Sequence, residues 1–334
     1  MRELKIGIIG CGAVAKYLYL PAVSACSFAK VEALVDKNIS RAEALAKKFS
    51  AGYVAGDYSE VFNRVEAVII ALPHFLHAPV SIDFLKRGIH VLVEKPMAMT
   101  VEQCDDMIEA ADLTGSVLAV GLVRRFYNTS RFVKQIIDEG WLGRIQSFDF
   151  REGSIYNWPV ASDFFFKKDS GGGLLADTGA HTLDMLLWWL GDYEALEYYD
   201  DSFGGVEANC ELHLSLKSGA RGIVELSRVR NLRNTYRLNG DKASLELGLD
   251  FNSTICLKPN NGYGLEGKIN SSESTSGSFL DIVCQQLQDF ATAVRENRKP
   301  FVKATDAKKS VALIEDCYWK RLRLNQPWLT AACD

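Results

Sequence analysis

A chain of 334 residues, 48% of them apolar, is long enough to fill two cores rather than one. The net charge of −4 excludes a large basic field of the kind that draws nucleic acid or an anionic membrane. The eight cysteines, at 11, 26, 104, 210, 256, 284, 317 and 333, make no C-x-x-C pair and no metal-ligand spacing, so reduced thiols in a cytoplasmic setting and no bound metal are expected.

The N-terminus leads directly into an apolar strand, and no signal peptide is expected. Apolar stretches such as 65–72 are too short to span a bilayer, and that one carries Glu66. Strand signals fall at 5–9, 31–35, 67–71, 90–93 and 117–121, short Val- and Ile-rich runs of the kind covered on both faces. Helix signals alternate with them at 13–25, 40–49, 77–87 and 101–114, with Ser40 and Thr100 as N-caps. Gly88 and Gly115 follow two of these helices, where a left-handed residue is wanted. Repeated β-α units predict a doubly wound parallel sheet.

Near Gly121 the pattern changes. A helix is predicted at 127–139, then alternating strands at 145–151, 207–216, 220–230, 235–239 and 243–247. Cys210-Glu-Leu-His-Leu-Ser-Leu216 alternates polar and apolar residues, as in an antiparallel sheet with one face turned to solvent or a partner. Lys217-Ser-Gly-Ala220 reads as a hairpin turn. The polar stretch 268–278 reads as a loop or mobile segment. Helices at 279–296 and 305–324 close the chain, the second apolar enough to pack back on the first domain.

Gly10-Cys-Gly-Ala-Val-Ala15 lies between the first strand and the first helix. Gly10 permits the tight turn, Gly12 lets a pyrophosphate approach the backbone, and Ala15 keeps helix and strand close. The helix start at Ala13 and Val14 then faces the phosphates. Asp36 ends the second strand, where a carboxylate bonds the adenosine ribose and favours NAD; Lys37 and Arg41 keep NADP open. Cys11 stands where a helix N-terminus lowers a thiol pKa, or is simply small. Leu72, Pro73, His74 and His77 follow the next strand, at the carboxyl end where loops line a ligand crevice. Either histidine is a candidate cofactor contact or a packed residue. His90, at the other end of its strand, reads as structural.

Oxidation of a secondary alcohol needs a base for the hydroxyl proton. Lys95, in Glu94-Lys95-Pro96 at the end of the strand at 90–93, is the candidate. Like charge drives a lysine beside an oxidised nicotinamide toward its neutral form. Glu94 is placed to orient it or to bond the carboxamide. Gly171–Gly173 opens a helix to about Leu190, with Asp177, His181 and Asp184 at spacings that share one face. The carboxylate orients the imidazole and holds a substrate hydroxyl. Metal ligation by the three, or a buried polar cluster at the helix start, are the alternatives. Between strand and helix runs an aromatic stretch, 154–168, with Asn157, Trp158, Asp163, Phe164–Phe166, Lys167 and Lys168. Its rings suit the C–H face of a ring substrate. Arg124, Lys167 and Lys168 favour an anionic or nucleotide-linked substrate, while one of Arg124 and Arg125 is expected to bind cofactor or brace the domain interface.

These motifs in this order resemble the glucose–fructose oxidoreductase and inositol dehydrogenase (Gfo/Idh/MocA) family. The resemblance rests on the glycine turn, on Gly88-Ile-His-Val-Leu-Val-Glu-Lys-Pro96, and on the triple glycine followed by Asp177, His181 and Asp184. It implies an N-terminal Rossmann domain (1–121) and a C-terminal α+β domain (122–334) with a large, mostly antiparallel sheet. It implies NAD(P)-dependent hydride transfer at a hydroxyl of a sugar, nucleotide sugar or cyclitol, with Lys95 and His181 catalytic and Asp177 holding substrate. A homodimer or homotetramer through the sheet is expected, since a half-apolar face calls for a partner. Two departures stand out: Val123 replaces a polar residue before Arg124-Arg125, and Phe164-Phe-Phe-Lys-Lys168 replaces a Trp-Arg pair. A glycosidase using tightly held NAD for transient oxidation and a non-catalytic cofactor sensor remain as alternatives.

Overall fold

The structure is a computed structural model that describes residues 3–159, 163–269 and 277–325. The described parts of Met1–Phe126, Pro159–Phe164 and Ser274–Val311 form one compact unit. Those of Tyr127–Trp158, Phe165–Glu273 and Ala312–Asp334 form a second.

In the first unit, β1 (Leu4–Ile9), β2 (Ala29–Val35), β3 (Tyr53–Ala55), β4 (Ala67–Ile70), β5 (His90–Val93) and β6 (Leu118–Val120) build one sheet in the order β3-β2-β1-β4-β5-β6. Every neighbouring pair is parallel. The apolar runs have the expected cause: β4 is buried at all its positions, covered on both faces. The helices are α1 (Leu20–Ala25), α2 (Ile39–Phe49), α3 (His77–Leu85) and α4 (Val101–Thr114). A π-helical turn at Ala15–Tyr19 interrupts what the sequence reads as one helix. Thr100 caps α4 as expected, its side chain accepting from Gln103 N at 3.2 Å. Ser40 does not cap α2; Asn38 Oδ1 accepts from Arg41 N at 3.1 Å, because the turn after Asp36 brings that earlier residue to the helix end. Gly88 and Gly115 take φ of 75° and 69° as required. His90 Nδ1 accepts from Val117 N at 3.0 Å, the structural role expected of it.

In the second unit, α5 (Asn128–Asp138) and α6 (Ala180–Leu190) accompany β7 (Ile145–Gly153), β8 (Tyr193–Asp200), β9 (Asn209–Leu216), β10 (Arg221–Ser227), β11 (Thr235–Gly240), β12 (Ala243–Gly248), β13 (Thr254–Pro259) and β14 (Leu265–Lys268). Later in the chain, α7 (Phe279–Glu296) belongs to the first unit, α8 (Ala304–Trp319) is divided after Val311, and β15 (Arg321–Arg323) belongs to the second. The second sheet runs β14-β13-β12-β11-β7-β10-β9-β8-β15, antiparallel except for β7–β10 and β8–β15. Its inner face sets Phe148, Phe150, Leu212, Val224 and Tyr236 against Leu183 and Leu186 of α6, with the rings of Phe150 and Tyr236 4.3 Å apart. Gly219, at φ 89°, makes the β9–β10 hairpin turn.

Three expectations change here. The last helix ends at Trp319 rather than continuing to 324, since Arg321–Arg323 pairs with β8 and Leu324 N donates to Asp200 O at 2.8 Å. Ser278 is not loop but the N-cap of α7, in a capping box with Asp281; residues 270–276 lie outside the described residues. The outward face of the second sheet is not half apolar. Alternation places Asp149, Arg151, Glu225, Arg237 and Glu246 there, and they pair with one another: Arg151 with Asp149 at 2.8 Å and Glu225 at 2.7 Å, and Arg237 with Glu246 at 2.6 Å.

Gly222 lies beside Phe148 on the paired strand; a Cβ there would stand 2.1 Å from Phe148 O and 2.4 Å from its ring. Gly222→Ala is therefore expected to destabilise the protein by about 1–3 kcal/mol through overpacking. Gly267→Ala, with nothing within 4 Å, is expected to stay within about 0.5 kcal/mol of the parent. Urea denaturation of the two variants checks the pair.

Candidate active site

At the carboxyl end of β1 the chain turns through Gly10, whose φ of 96° favours glycine. A Cβ there would lie 2.3 Å from Ala71 O, so the glycine is also needed for space. Helical structure starts at Ala13, so the first amides, at Gly12, Ala13 and Val14, face outward from a helix start without intrahelical partners. This suits a pyrophosphate. Asp36 sits beside the turn. Its Oδ2 accepts from Cys11 N at 2.9 Å and from Arg41 Nη1 at 3.4 Å, and its Oδ1 accepts from Asn38 N at 2.8 Å. A carboxylate has about four acceptor positions; three are in use, which leaves room for a ribose hydroxyl. Lys37 is exposed. Cys11 is not an activated thiol: burial and the Asp36 charge raise its pKa to about 12.

After β4, Leu72 and Pro73 lead into a short 3₁₀ turn, His74–Leu76. His77 is wholly buried, with Nδ1 2.7 Å from Pro96 O and Nε2 2.8 Å from Leu72 O. The expected cofactor contact is thus corrected to a brace that joins the 72–77 loop to the turn after Lys95. A neutral imidazole donates to only one of these two carbonyls; burial, with the Lys95 charge, lowers the His77 pKa, and the Pro96 and Leu72 carbonyls oppose the shift. His74 is buried and meets the ring of Phe164 edge-on at 5.2 Å.

Lys95 leaves the end of β5, partly buried, through a cis Lys95–Pro96 peptide. Glu94 Oε2 accepts from Lys95 N at 3.2 Å, and Glu94 Oε1 accepts from Tyr19 OH at 2.5 Å. Gln286 Nε2 of α7 in turn donates to Tyr19 OH at 3.3 Å. Burial and the Glu94 charge push the Tyr19 phenol well above its ordinary range, so it stays a donor. Sequence reasoning missed Tyr19 and Gln286. Gln286 left a signal, being a polar residue in the apolar stripe of Ile282, Val283, Leu287 and Phe290. Tyr19 left none.

In the second unit, Gly171 (φ 74°) and Gly173 (φ 129°) precede the π-helical turn Leu175–Gly179, which runs into α6. A Cβ at Gly173 would lie 2.6 Å from Glu207 Oε1, which accepts from Leu175 N at 2.7 Å. Asp177 lies in the wide turn and His181 in the α-helix, both partly buried. Asp184 is 2% exposed, so the face expected for all three reaches only the first two, and Asp184 joins the buried polar positions. Arg228 Nη2 lies 3.9 Å from Asp177 Oδ2, and its guanidinium stands over Tyr156 at 5.4 Å. Neither Arg228 nor Tyr156 was singled out from the sequence; Arg228 reads there as the end of an alternating strand. Trp158 and Lys167 are exposed. Arg124 lies on the 3₁₀ turn Val123–Phe126 of the first unit. Arg125 is buried and pairs with Asp306 at 3.4 Å, a brace within the first unit. Among the described residues no group of three or more His, Cys, Asp or Glu is placed to hold a metal ion.

A parallel sheet in this strand order, a glycine turn at its switch point and a lysine at the end of β5 define a dinucleotide-binding oxidoreductase. Residues 4–122 match the family described as "Oxidoreductase family, NAD-binding Rossmann fold", and residues 130–246 match the GFO/IDH/MocA C-terminal domain. The chain belongs to the Gfo/Idh/MocA oxidoreductases. It is 31% identical to the D-glucoside 3-dehydrogenase of Escherichia coli (strain K12) over 193 residues, 56% of this chain and 54% of that protein. Its fold matches KijD10, a 3-ketoreductase from Actinomadura kijaniata solved with NADP and TDP-benzene. The TM-score is 0.85 at 22% identity, over 98% of this chain and all (100%) of that one. It also matches levoglucosan dehydrogenase solved with NADH and levoglucosan, with a TM-score of 0.85 at 20% identity over 96% and 97% of the two chains.

The His77 brace carries a pH signature. Its folded pKa lies below the ordinary 6.5, so below that pH the unfolded chain binds a proton that the folded one resists. Its contribution to stability is complete above about pH 6.5 and is lost as pH falls toward the folded value. Thermal unfolding of parent and His77→Gln between pH 8 and 5 is expected to show a shallower decline in the variant, on a lower baseline.

Proposed function

We propose that the chain is an NAD(P)-dependent dehydrogenase that moves a hydride between a nicotinamide and a hydroxyl-bearing ring carbon of a sugar or cyclitol, free or nucleotide-linked. The observation that carries this reading is the Tyr19–Glu94–Lys95 linkage. A neutral phenol and a carboxylate fix the backbone of one lysine at the end of the strand that follows the glycine turn. A bound nicotinamide supplies the hydride acceptor or donor. In the oxidising direction Lys95 Nζ takes the hydroxyl proton, and it returns one in reduction. His181 is the second acid–base group of this reading, and Asp177 orients its imidazole and accepts from a substrate hydroxyl. The helix start at Gly12–Val14 takes the pyrophosphate, with Leu72, Pro73 and His74 beside it and Glu94 toward the carboxamide.

Asp36, with an acceptor position to spare, supports NAD over NADP, although Arg41 already offsets part of its charge. Trp158 and Lys167, exposed on the aromatic stretch, and Arg124 are the further substrate contacts of this reading. By their names the relatives include a D-glucoside 3-dehydrogenase and a dTDP-3,4-didehydro-2,6-dideoxy-alpha-D-glucose 3-reductase, which supports the substrate class. A homodimer or homotetramer through the second sheet is part of the proposal, now resting on the commonness of closed homo-oligomers rather than on apolar area. So is a reducing, cytoplasmic setting, supported by the free thiols of the seven described cysteines.

Lys95→Ala and His181→Ala are each expected to lower turnover about 10²- to 10⁴-fold, the usual worth of a positioned acid or base. Nicotinamide fluorescence should show cofactor affinity little changed in His181→Ala. The assay follows NADH absorbance over a panel of sugars, cyclitols and nucleotide sugars. Sugar cleavage without net NADH would point to the glycosidase alternative, and cofactor binding without turnover to the sensor. Asp36→Ala is expected to weaken NAD by about 1.5–3 kcal/mol; tighter NADP than NAD binding by the parent would reverse the cofactor preference and give Lys37 and Arg41 the phosphate.

A further inference from the structure

Arg228 follows β10 directly, and its backbone is held on both sides: its N–H donates to Ala208 O at 2.9 Å, and its carbonyl accepts from Tyr156 N at 2.8 Å. The residue is 6% exposed, so its charge is buried. Nη1 donates a long bond to Phe165 O at 3.4 Å, whereas Nε and Nη2 are buried and make no hydrogen bond. These two atoms lie on one edge of the guanidinium, the edge that grips two oxygens side by side. Tyr156 OH is also buried and without a hydrogen bond. Its ring stands edge-on to Phe166 at 5.6 Å, and Phe166 is half exposed. Three buried donors of one cluster lacking acceptors is a costly arrangement for a folded chain, and it is what a ligand-binding site looks like before its ligand is counted.

The charges decide what ligand fits. Asp177 Oδ2 lies 3.9 Å from Arg228 Nη2 and balances the guanidinium. An added phosphate or carboxylate would meet that aspartate as a like charge. A hydroxyl meets both groups well, because it donates and accepts at once. An oxygen about 2.9 Å from each partner closes a triangle over the 3.9 Å edge, and the next hydroxyl of the ring takes Nε. We propose that Arg228, with Asp177 and Tyr156, grips two neighbouring hydroxyls of an uncharged ring, and that this unit selects a neutral pyranose or cyclitol portion of the substrate. Burial and the Asp177 charge raise the Tyr156 pKa to about 12, which keeps the phenol protonated for a further hydroxyl. The inference rests on the dehydrogenase reading above.

The test uses the intact protein saturated with NAD, with methyl β-D-glucoside, its 2-deoxy and 4-deoxy analogues, scyllo-inositol and glucose 6-phosphate as probes. Arg228→Lys keeps the charge and loses the fork; Tyr156→Phe keeps the ring. For the neutral ring that turns over best, Arg228→Lys is expected to raise KM about 10- to 100-fold and Tyr156→Phe about 3- to 10-fold. Cofactor affinity and melting temperature should stay near the parent's. At least one deoxy analogue should lose less to Arg228→Lys than its parent sugar does, because the gripped hydroxyl is already gone. Unchanged KM in folded Arg228→Lys, with turnover that still needs Lys95, would overturn this inference and leave the dehydrogenase reading standing. Preference for glucose 6-phosphate that is lost in Arg228→Lys would also overturn it. No binding or turnover of any probe, nor of the nucleotide sugars in the panel above, would take down both.

Discussion

The hydrogen bond from Tyr19 to Glu94 is the contact on which the first unit's chemistry depends. It joins the helix that follows the glycine turn to the end of β5, and Gln286 ties α7 into the same point. Glu94 is partly buried, so its charge requires a donor, and a hydrogen bond to a charged group is worth about 1.5–3 kcal/mol. The protonated phenol meets that requirement without adding a second charge. Gly121 leaves the space: a Cβ there would stand 2.9 Å from Glu94 Oε1. The order of causes runs from a tight turn at Gly10, through a widened helical turn that carries Tyr19, to the backbone of Lys95. His77 holds the other side of the same turn through Pro96 O. Lys95 is therefore fixed by groups from four separate stretches of sequence.

The second unit repeats the device with different residues. Glu207 is 1% exposed and holds Leu175 N at the start of the helix that bears Asp177 and His181. Tyr318 OH donates to the same carboxylate at 3.0 Å, and Arg321 lies 3.8 Å away. Burial raises the Glu207 pKa, while the Leu175 amide and the Tyr318 hydroxyl oppose the shift. The Cβ-free Gly173 is what lets a carboxylate approach the helix start this closely. Here a triple glycine, which the sequence offered only as a helix opener, has a specific steric reason at its third position.

What was legible in the sequence divides along physical lines. Long Val- and Ile-rich runs and long amphipathic stretches identified β1, β2, β4, β5, α4 and α7, because burial on one or both faces leaves a periodic record. Two three-residue strands, β3 and β15, were too short to leave a period, and the eight-residue β8 (Tyr193–Asp200) contains Glu and Ala that favour helix. Gly10, Lys95, Asp177 and His181 were legible because their motifs combine residue type with position at an element's end. Tyr19, Glu207, Arg228 and Gln286 were not, because each acts through a partner distant in sequence: Glu207 reaches Leu175 across 32 positions and Gln286 reaches Tyr19 across 267. Histidine 77 shows the reverse error. Its place after β4 suggested a ligand contact, yet two backbone carbonyls claim its ring.

The two sheets show how differently the units place their polar groups. In the first, both faces are covered and the polar groups gather where strands end, so the apolar runs come first and the chemistry is attached to their carboxyl ends. In the second, one face is a hydrophobic floor beneath α6 and the other a lattice of Arg–carboxylate pairs. Neutralised pairs of this kind add little stability each at a surface. They do keep that face from being the flat apolar area that would otherwise drive indiscriminate association. Arg228 stands just past the end of β10, where this paired surface gives way to the aromatic stretch. There a buried guanidinium faces the Asp177 carboxylate at 3.9 Å.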